Sequence, residues 1–362
     1  MKKRIAILAN HSGGLYDFRK DLISELKKHA NVTVAVPHND RWEELHKLVD
    51  EVIELPVDRR GMNPIHDSKL FRQYRAMLKE VKPDLVLTYT IKPNIYGGLA
   101  CRMAHIPYAV NITGLGSAIE NGGWLKKFVL ALCKPALQGA RGVFFENAGN
   151  RDTLAATGVV PKGRDVVLSG AGVNLEDYPY QPYPQEGPVR FLFVGRVMRE
   201  KGVDELFAAA KRMKQEYGNG VELHIVGSFE EEYKPLVDKL EQAGVVKYHG
   251  YQSDMKRFYA MASCVVLPSY HEGMSNVLLE GAATGRALIT SDIPGCREAV
   301  EDGVSGYLCP TKDADALCDA MRRFAELPEN RQAEMGRRGR TRMEQKFSKT
   351  AVVAETIKHL EI

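Results

Sequence analysis

Two glutamates, Glu272 and Glu280, stand eight positions apart in a segment that joins a predicted strand to a predicted helix. Residues 263–267 are typical of a short buried strand, and Ser275 is suited to cap the helix that follows. This pattern predicts Glu272 on the loop and Glu280 about one turn inside the helix. A helix start offers unpaired N–H groups to a phosphate, and carboxylates accept hydrogen bonds from hydroxyls. The segment therefore indicates a site for a ligand with a diphosphate between two hydroxyl-bearing ends, as in a nucleotide sugar.

Two basic residues, Arg196 and Lys201, follow another predicted strand at residues 189–194. They lie on the loop that opens the next predicted helix, between Gly195 and Gly202. Two cations at a helix start form a strong diphosphate site. A solvated charged loop is the plain alternative, but the glycines and the position at a strand end favour the phosphate site.

Two further strand ends carry residues that could contact a nucleotide base. Gly227 follows the predicted strand 222–226, and Tyr251 follows the predicted strand 245–248. In a doubly wound domain these positions reach the same carboxyl edge as the basic loop. Each signal taken alone is more typical of a structural turn.

The composition is that of an ordinary globular protein. The chain has 362 residues, 44% of them hydrophobic and 27% charged, which favours two domains. No apolar run is long enough to span a bilayer. Six cysteines are scattered without CxxC spacing, so a reduced, cytoplasmic protein is expected, with no zinc site or disulfide framework.

The charge is uneven along the chain. Residues 1–180 carry a net charge of +6, whereas residues 181–362 carry −2. Chance explains this as well as function does. The functional interpretation is a first half that faces an anionic partner such as a membrane surface, at the inner face of the cytoplasmic membrane.

Strand-length apolar runs alternate with helix-period segments in two series, which predicts α/β folding with parallel sheets. A segment with four prolines separates the series and is expected to be a linker. We expect two doubly wound, Rossmann-like domains facing each other across a ligand-binding cleft. The predicted boundaries are a first domain at 1–173, a linker at 174–188, a second domain at 189–345, and a C-terminal helix at 346–362 that packs back on the first domain.

The first series carries weaker candidates for a site. Paired glycines, Gly13 and Gly14, follow the first predicted strand, where backbone can approach a ligand closely. Arg19, Lys20 and Lys92 could meet an acceptor diphosphate, although plain surface charges are an equal alternative. Residues 123–134 mix large apolar residues with three lysines, which fits either an interfacial helix or a core helix with a lysine edge.

The combined motifs resemble the retaining glycosyltransferases of family 4, which have the two-domain GT-B fold. Gly195-Arg196 with Lys201-Gly202, then Pro268-Ser269 and the pair Glu272 and Glu280, carry this resemblance. It covers nearly the whole chain and is most specific in the second half. It implies transfer of a sugar from a nucleoside diphosphate, UDP by family analogy, without a metal or other cofactor.

The resemblance also implies roles for individual residues. Arg196 and Lys201 hold the donor diphosphate, Glu272 binds hydroxyls of the donor sugar, and Glu280 binds the ribose. Arg196, Lys201 and Glu272 are the expected catalytic residues. The expected donor site comprises Gly14, Arg196, Lys201, Gly227, Tyr251, Glu272, Gly273, Met274, Ser275, Asn276 and Glu280.

The first half matches one branch of the family, which builds capsule, O-antigen and lipid-linked glycans. The resemblance there implies a saccharide acceptor on a polyprenyl diphosphate, and no nucleic acid partner. The expected acceptor residues are His11, Tyr16, Arg19, Lys92, Asn94, Thr113 and Gly114. Thr113 stands where the family often has a histidine, so the role of that imidazole is not carried over, and His11 is a candidate to lie nearby.

Two other functions remain open at this point. A nucleotide-sugar 2-epimerase shares the fold and would convert the donor without an acceptor. A non-catalytic subunit of a glycan assembly is the second, although the intact basic and acidic motif residues count against it. Asp313-Ala314-Asp315 matches a metal-binding pattern of a different transferase fold, but its place at a helix start is typical of capping.

Overall fold

The computed structural model describes residues 2–58, 63–116, 119, 122–185 and 187–362. The chain divides into two compact units. The first comprises Met1–Ala171 with Thr350–Ile362, and the second comprises Gly172–Lys349. Each unit contains one fully parallel sheet covered by helices, which confirms the predicted α/β class and the two sheets.

The first unit has a seven-stranded sheet in the order β3-β2-β1-β4-β5-β6-β7. Its strands are β1 Lys3–Leu8, β2 Ala30–Val36, β3 Glu51–Glu54, β4 Leu85–Tyr89, β5 Tyr108–Ile112, β6 Gly142–Phe145 and β7 Asp165–Val167. Its described helices are α1 Ser12–His29, α2 Trp42–Leu48, α3 Pro64–Val81, α4 Gly98–Ala104, α5 Gly123–Gln138, α6 Ala148–Ala155 and, from the C-terminus, α13 Lys349–Leu360.

Alternate residues of these strands enter two separate cores. In β1, for example, Ile5 and Ile7 join one cluster of buried residues, and Ala6 and Leu8 join the other. Because side chains alternate across a strand, the sheet is buried on both faces. This explains why its strands are nearly continuous apolar runs in the sequence.

The second unit has a six-stranded sheet in the order β10-β9-β8-β11-β12-β13. Its strands are β8 Val189–Val194, β9 Val221–Val226, β10 Lys247–Tyr248, β11 Cys264–Leu267, β12 Ala287–Ser291 and β13 Gly306–Cys309. Its described helices are α7 Val203–Tyr217, α8 Lys234–Gln242, α9 Lys256–Met261, α10 Asn276–Ala283, α11 Ala314–Ala325 and α12 Glu329–Lys346.

Two strands were not predicted from the sequence, β3 in the first sheet and β13 in the second. Both lie at the edge of their sheet and are only four residues long. In β3 no residue is fully buried, so it lacks the apolar run that marks the central strands.

The proline-rich segment predicted as a linker lies in the second unit. It is held by the fully buried Arg286, whose guanidinium donates hydrogen bonds to the carbonyls of Gln181 and Pro182, at 2.9 and 2.8 Å. Burial lowers the pKa of Arg286 to about 10, so the side chain remains a cation at neutral pH. The prolines exclude regular structure here, but the backbone carbonyls still anchor the segment.

The C-terminal helix α13 is grouped with the first unit. Val352 and Leu360 are buried in one of its two cores, and His359 packs edge-on against Phe144. Among the described residues, no helix combines the length and apolarity needed to cross a membrane.

Candidate active site

The basic loop and the glutamate loop lie side by side in the second unit. Lys201 follows β8 and Glu272 follows β11, and these two strands are neighbours in the sheet. The strand order reverses at this position, because β9 extends the sheet on one side and β12 on the other. Such a switch point opens a crevice at the carboxyl ends of the strands, where ligands of doubly wound domains bind.

An ion pair joins the two loops. The Lys201 ammonium lies 2.5 Å from Glu272 Oε1, and both side chains are mostly buried. The Ser269 hydroxyl donates a second hydrogen bond to the same oxygen, at 2.8 Å. These contacts hold the Glu272 carboxylate in one orientation at the strand ends.

Two glycines permit other backbone segments to approach closely at this site. Gly202 lies against the residues that precede the glutamate loop, and Gly295, after β12, lies against the glutamate loop itself. Gly202 has φ +70°, and a Cβ there would stand only 2.0 Å from the Pro268 carbonyl oxygen. Gly295 has φ +87°, and a Cβ there would stand 2.3 Å from the Gly273 carbonyl oxygen. Only glycine fits either position, both for its conformation and for the space available.

Helix α10 begins as predicted, at Asn276, with Ser275 as its N-cap. The Ser275 hydroxyl accepts a hydrogen bond from the Leu278 N–H, and the Ser275 N–H donates to the Gly295 carbonyl at 2.9 Å. The first turn of a helix presents N–H groups that have no intrahelical partners, together with the positive end of the helix dipole. A phosphate therefore has a suitable place beside the Lys201–Glu272 pair.

Glu280 lies on α10, as predicted, and is oriented by a tyrosine. The hydroxyl of the fully buried Tyr259 donates to Glu280 Oε2 at 2.8 Å. Burial, and then the Glu280 carboxylate, raise the pKa of Tyr259 well above its ordinary value. The phenol therefore stays protonated and remains a donor at neutral pH.

The other predicted donor residues occupy different environments. Arg196 forms an ion pair with Glu230, at 3.3 Å, and its side chain is half-exposed. Tyr251 is 69% exposed, whereas Met274 is buried. Gly227 packs so closely against the neighbouring loop that a Cβ there would overlap the Gly195 carbonyl. Gly273 and Asn276 are partly buried.

Sequence reasoning missed three residues that build this site, Tyr259, Ser269 and Gly295. Tyr259 lies in an apolar stretch before β11 and looks like an ordinary core residue. Ser269 was part of the recognised motif but had no role assigned. Gly295 lies far from the motif along the chain, and only the fold brings it to the Gly273 carbonyl.

In the first unit, His11 and Gly14 belong to the start of α1. His11 is the N-cap, and its Nδ1 accepts a hydrogen bond from the Gly14 N–H at 3.0 Å. His11, Gly14 and Tyr16 are all partly buried. A histidine that accepts through Nδ1 keeps its Nε2 protonated when the ring is neutral.

Two predicted acceptor cations already pair with carboxylates in this structure. Arg19 forms an ion pair with Glu146, at 2.5 Å, and its guanidinium lies over the Tyr89 ring. Lys92 forms an ion pair with Asp67, at 2.8 Å. Each cation is therefore already paired with a partly or fully buried carboxylate, and a role for either in binding an acceptor diphosphate stays a prediction.

Asn94 forms hydrogen bonds that link two neighbouring strands. It is 3% exposed, and its amide oxygen accepts from the Thr88 hydroxyl at 2.7 Å while its nitrogen donates to the Asn111 carbonyl at 2.9 Å. It thus joins the ends of β4 and β5, and a role in binding an acceptor stays a prediction. Thr113 and Gly114 follow β5 and are partly buried.

Asp313 caps α11, because its carboxylate accepts a hydrogen bond from the Ala316 N–H at 2.8 Å. Asp315 forms an ion pair with Arg212. Asp313 therefore caps the helix, as predicted, whereas Asp315 has a separate partner in Arg212.

Family models match both halves of the chain. Residues 4–147 match "Glycosyl transferase 4-like", and residues 177–342 match "Glycosyl transferases group 1". A curated relative from Campylobacter jejuni, N,N'-diacetylbacillosaminyl-diphospho-undecaprenol alpha-1,3-N-acetylgalactosaminyltransferase, is 30% identical over 87% of this chain and 88% of its own length. The chain belongs to the group 1, family 4 glycosyltransferases, as the motifs predicted.

Another relative, the capsular polysaccharide biosynthesis glycosyltransferase CapM of Staphylococcus aureus, is 24% identical over 91% of this chain and 90% of its own length. Among solved structures, HepE of Anabaena in complex with UDP and glucose matches with a TM-score of 0.83, at 17% identity and 99% coverage of both chains. Sucrose-phosphate synthase of Thermosynechococcus elongatus matches with a TM-score of 0.81, at 20% identity, covering 99% of this chain and 98% of its own. The fold is therefore GT-B.

Proposed function

We propose that this protein is a retaining glycosyltransferase that moves a hexose or N-acetylhexosamine from a UDP-sugar to a saccharide linked to a polyprenyl diphosphate. The observation that carries this proposal is the Lys201–Glu272 pair at the switch point of the second sheet, beside the start of α10. The pair combines a cation for phosphate with a carboxylate for sugar hydroxyls.

In this proposal the donor diphosphate lies against Lys201, Arg196 and the first turn of α10. When the bond between the sugar C1 and the phosphate oxygen breaks, negative charge grows on the leaving UDP. Lys201 and the helix N–H groups stabilise that charge without reorganisation, which is the kind of contact that costs about 10²–10³-fold in kcat when removed. No metal ion is needed for this step.

The sugar passes through an oxocarbenium-like state. The acceptor hydroxyl attacks C1 from the face that the diphosphate leaves, and its proton passes to the departing phosphate oxygen. The new C1–O bond then has the same configuration as the donor. In this proposal Glu272 binds hydroxyls of the donor sugar and does not act as a covalent nucleophile.

The UDP donor and the acceptor class are supported by relatives. HepE structures include complexes with UDP and with UDP-glucose, and the Campylobacter relative is named for a diphospho-undecaprenol substrate. We assign acceptor binding to the first unit, through His11, Tyr16, Thr113 and Gly114. Peripheral contact with the cytoplasmic membrane follows from such an acceptor.

The test compares Lys201→Ala and Glu272→Ala with a matched control, Lys234→Ala. Lys234 is an exposed lysine of the same unit that pairs with Asp238. Transfer is measured with UDP-sugars and lipid-linked acceptors. We expect both site variants to lose at least about 10²-fold in rate while remaining folded, and the control to keep full activity.

Full activity in either site variant would refute the assignment. Incubation with the donor alone distinguishes a transferase from a nucleotide-sugar epimerase, because an epimerised sugar that appears without acceptor would favour the epimerase. A thermal-shift panel of nucleotide sugars identifies the base and sugar, since a bound ligand raises the apparent stability.

A further inference from the structure

Helix α5 exposes two large aromatic side chains that no contact within the described chain explains. Trp124 is 76% exposed and Phe128 is 45% exposed. An exposed tryptophan of this degree is unusual on a surface that faces only water. The two residues are four positions apart, so they lie on the same side of the helix.

The exposed side of α5 also carries positive charge. Lys127 and Lys134 are exposed on it, whereas Val129 and Cys133 are buried on the opposite side. The helix is 16 residues long and contains no aspartate or glutamate. Its outer face is therefore apolar and basic together, and we call these four exposed residues, Trp124, Lys127, Phe128 and Lys134, the α5 face.

The α5 face is supported by the body of the first unit. Helix α5 packs on α4, and the Arg102 guanidinium of α4 donates to the Pro135 carbonyl of α5, at 2.6 Å. Met103 on α4 is itself 57% exposed. The aromatic side chains thus project from a helix held by its inner side and need not rearrange to be presented.

We propose that the α5 face binds the surface of an anionic bilayer, with Trp124 and Phe128 at the level of the headgroups and Lys127 and Lys134 against the lipid phosphates. Tryptophan is suited to this interface, because its ring is amphipathic. The lysines match the negative charge of the leaflet, in agreement with the positive first half of the chain. The inference rests on the proposed function, since a lipid-linked acceptor would hold the enzyme at such a surface.

The experiment measures flotation of the full chain with vesicles of phosphatidylglycerol and phosphatidylethanolamine. We expect Trp124→Ser with Phe128→Ser to reduce partitioning about tenfold or more, and Lys127→Gln with Lys134→Gln to reduce it about fivefold per lysine at low ionic strength. The matched controls are Ile65→Ser, which removes an apolar side chain that is 75% exposed on α3, and Lys69→Gln with Lys79→Gln on the same helix. The controls should partition like the parent.

A second readout reports on Trp124 directly. The chain has two tryptophans, so Trp42→Phe leaves Trp124 as its single indole. Its fluorescence should shift to the blue with anionic vesicles and be quenched by brominated lipid. Three results would each overturn the proposal. They are undiminished partitioning of the Trp124→Ser, Phe128→Ser variant, an unshifted Trp124 spectrum, and a parent protein that is a dimer in solution whereas this variant is a monomer.

Binding of UDP-sugar by the α5-face variants separates this inference from the proposed function. We expect donor binding to be unchanged, because α5 belongs to the first unit and the proposed donor site to the second. Loss of vesicle binding with intact donor binding supports the surface. If transfer fails for every substrate while vesicles still bind through Trp124, the proposed function fails and this inference stands.

Discussion

Tyr259 orients Glu280 through a hydrogen bond from a fully buried phenol. We predict that Tyr259→Phe raises the donor KM about tenfold, because a hydrogen bond to a charged group is lost and the Glu280 carboxylate is held less tightly in its orientation. Steady-state kinetics with varied donor measures this effect. The acceptor KM should change little.

Tyr74→Phe is the matched control for Tyr259→Phe. Tyr74 is a fully buried tyrosine of the first unit whose hydroxyl has no hydrogen-bond partner among the described residues. Its variant should leave the donor KM unchanged. Equal effects of the two substitutions would mean that the result reports general packing and not the orientation of Glu280.

Gly295 supports the loop that carries Glu272. We predict that Gly295→Ala lowers transfer strongly, because the new Cβ would overlap the Gly273 carbonyl oxygen and displace the loop. Gly303→Ala separates this overlap from backbone strain, since Gly303 also has a positive φ, +74°, but nothing lies within 4 Å of a Cβ there. The control should lose about 1–2 kcal/mol of stability and keep its activity.

Activity assays and chemical unfolding of both glycine variants check this prediction. An active Gly295→Ala, or a Gly303→Ala that loses activity equally, would contradict the role given to the close approach.

At the scale of elements, a histidine pair joins β9 to the residue that directly follows β10. His224 Nδ1 lies 2.9 Å from His249 Nε2, and His224 Nε2 lies 3.0 Å from Glu222 Oε2. When both rings are neutral, His224 donates through Nε2 to Glu222 and accepts at Nδ1 from His249 Nε2, so each ring has a defined tautomer. Burial lowers the pKa of both histidines, more than Glu222 raises that of His224.

This pair predicts a pH dependence of stability. Well above about pH 6.5 the rings are neutral in both the folded and the unfolded chain and contribute nothing to the pH dependence. Below that value the unfolded chain binds protons first, so the free energy of unfolding falls as pH decreases. We expect the thermal midpoint to fall between about pH 7 and pH 5.5, and to fall less in His224→Gln. An identical pH dependence in the variant would contradict this origin.

The apolar central strands were predictable, whereas the edge strands β3 and β13 were not. The strand Val189–Val194 is predicted with its observed bounds and Cys264–Leu267 within one residue, because both are mostly apolar runs with buried central residues. The edge strand Glu51–Glu54 lacks that signal, because none of its residues is fully buried. At the site, charged residues next to strand ends could be found from the sequence, whereas Tyr259 and Gly295 act through contacts that only the fold creates.

For the whole molecule, the alternation of strands and helices predicted two sheets, and the motifs predicted the family. The sequence could not show which carboxylates neutralise Arg19 and Lys92, because Glu146 and Asp67 lie far from them along the chain. The C-terminal helix was expected to pack on the first domain, but the sequence does not show which distant residues it contacts there, such as Phe144. Periodicity predicts that a helix buries one face, but it does not name the partner.

The most direct test of the central claim is a transfer assay with the purified chain, a UDP-sugar and a lipid-linked saccharide acceptor, in which released UDP and extended acceptor are measured together. The parent protein should release UDP and extend the acceptor in equal amounts, with the configuration at C1 retained, and Lys201→Ala should do neither at a comparable rate. Inversion at C1, an unchanged acceptor with every UDP-sugar, or equal turnover by Lys201→Ala would contradict it.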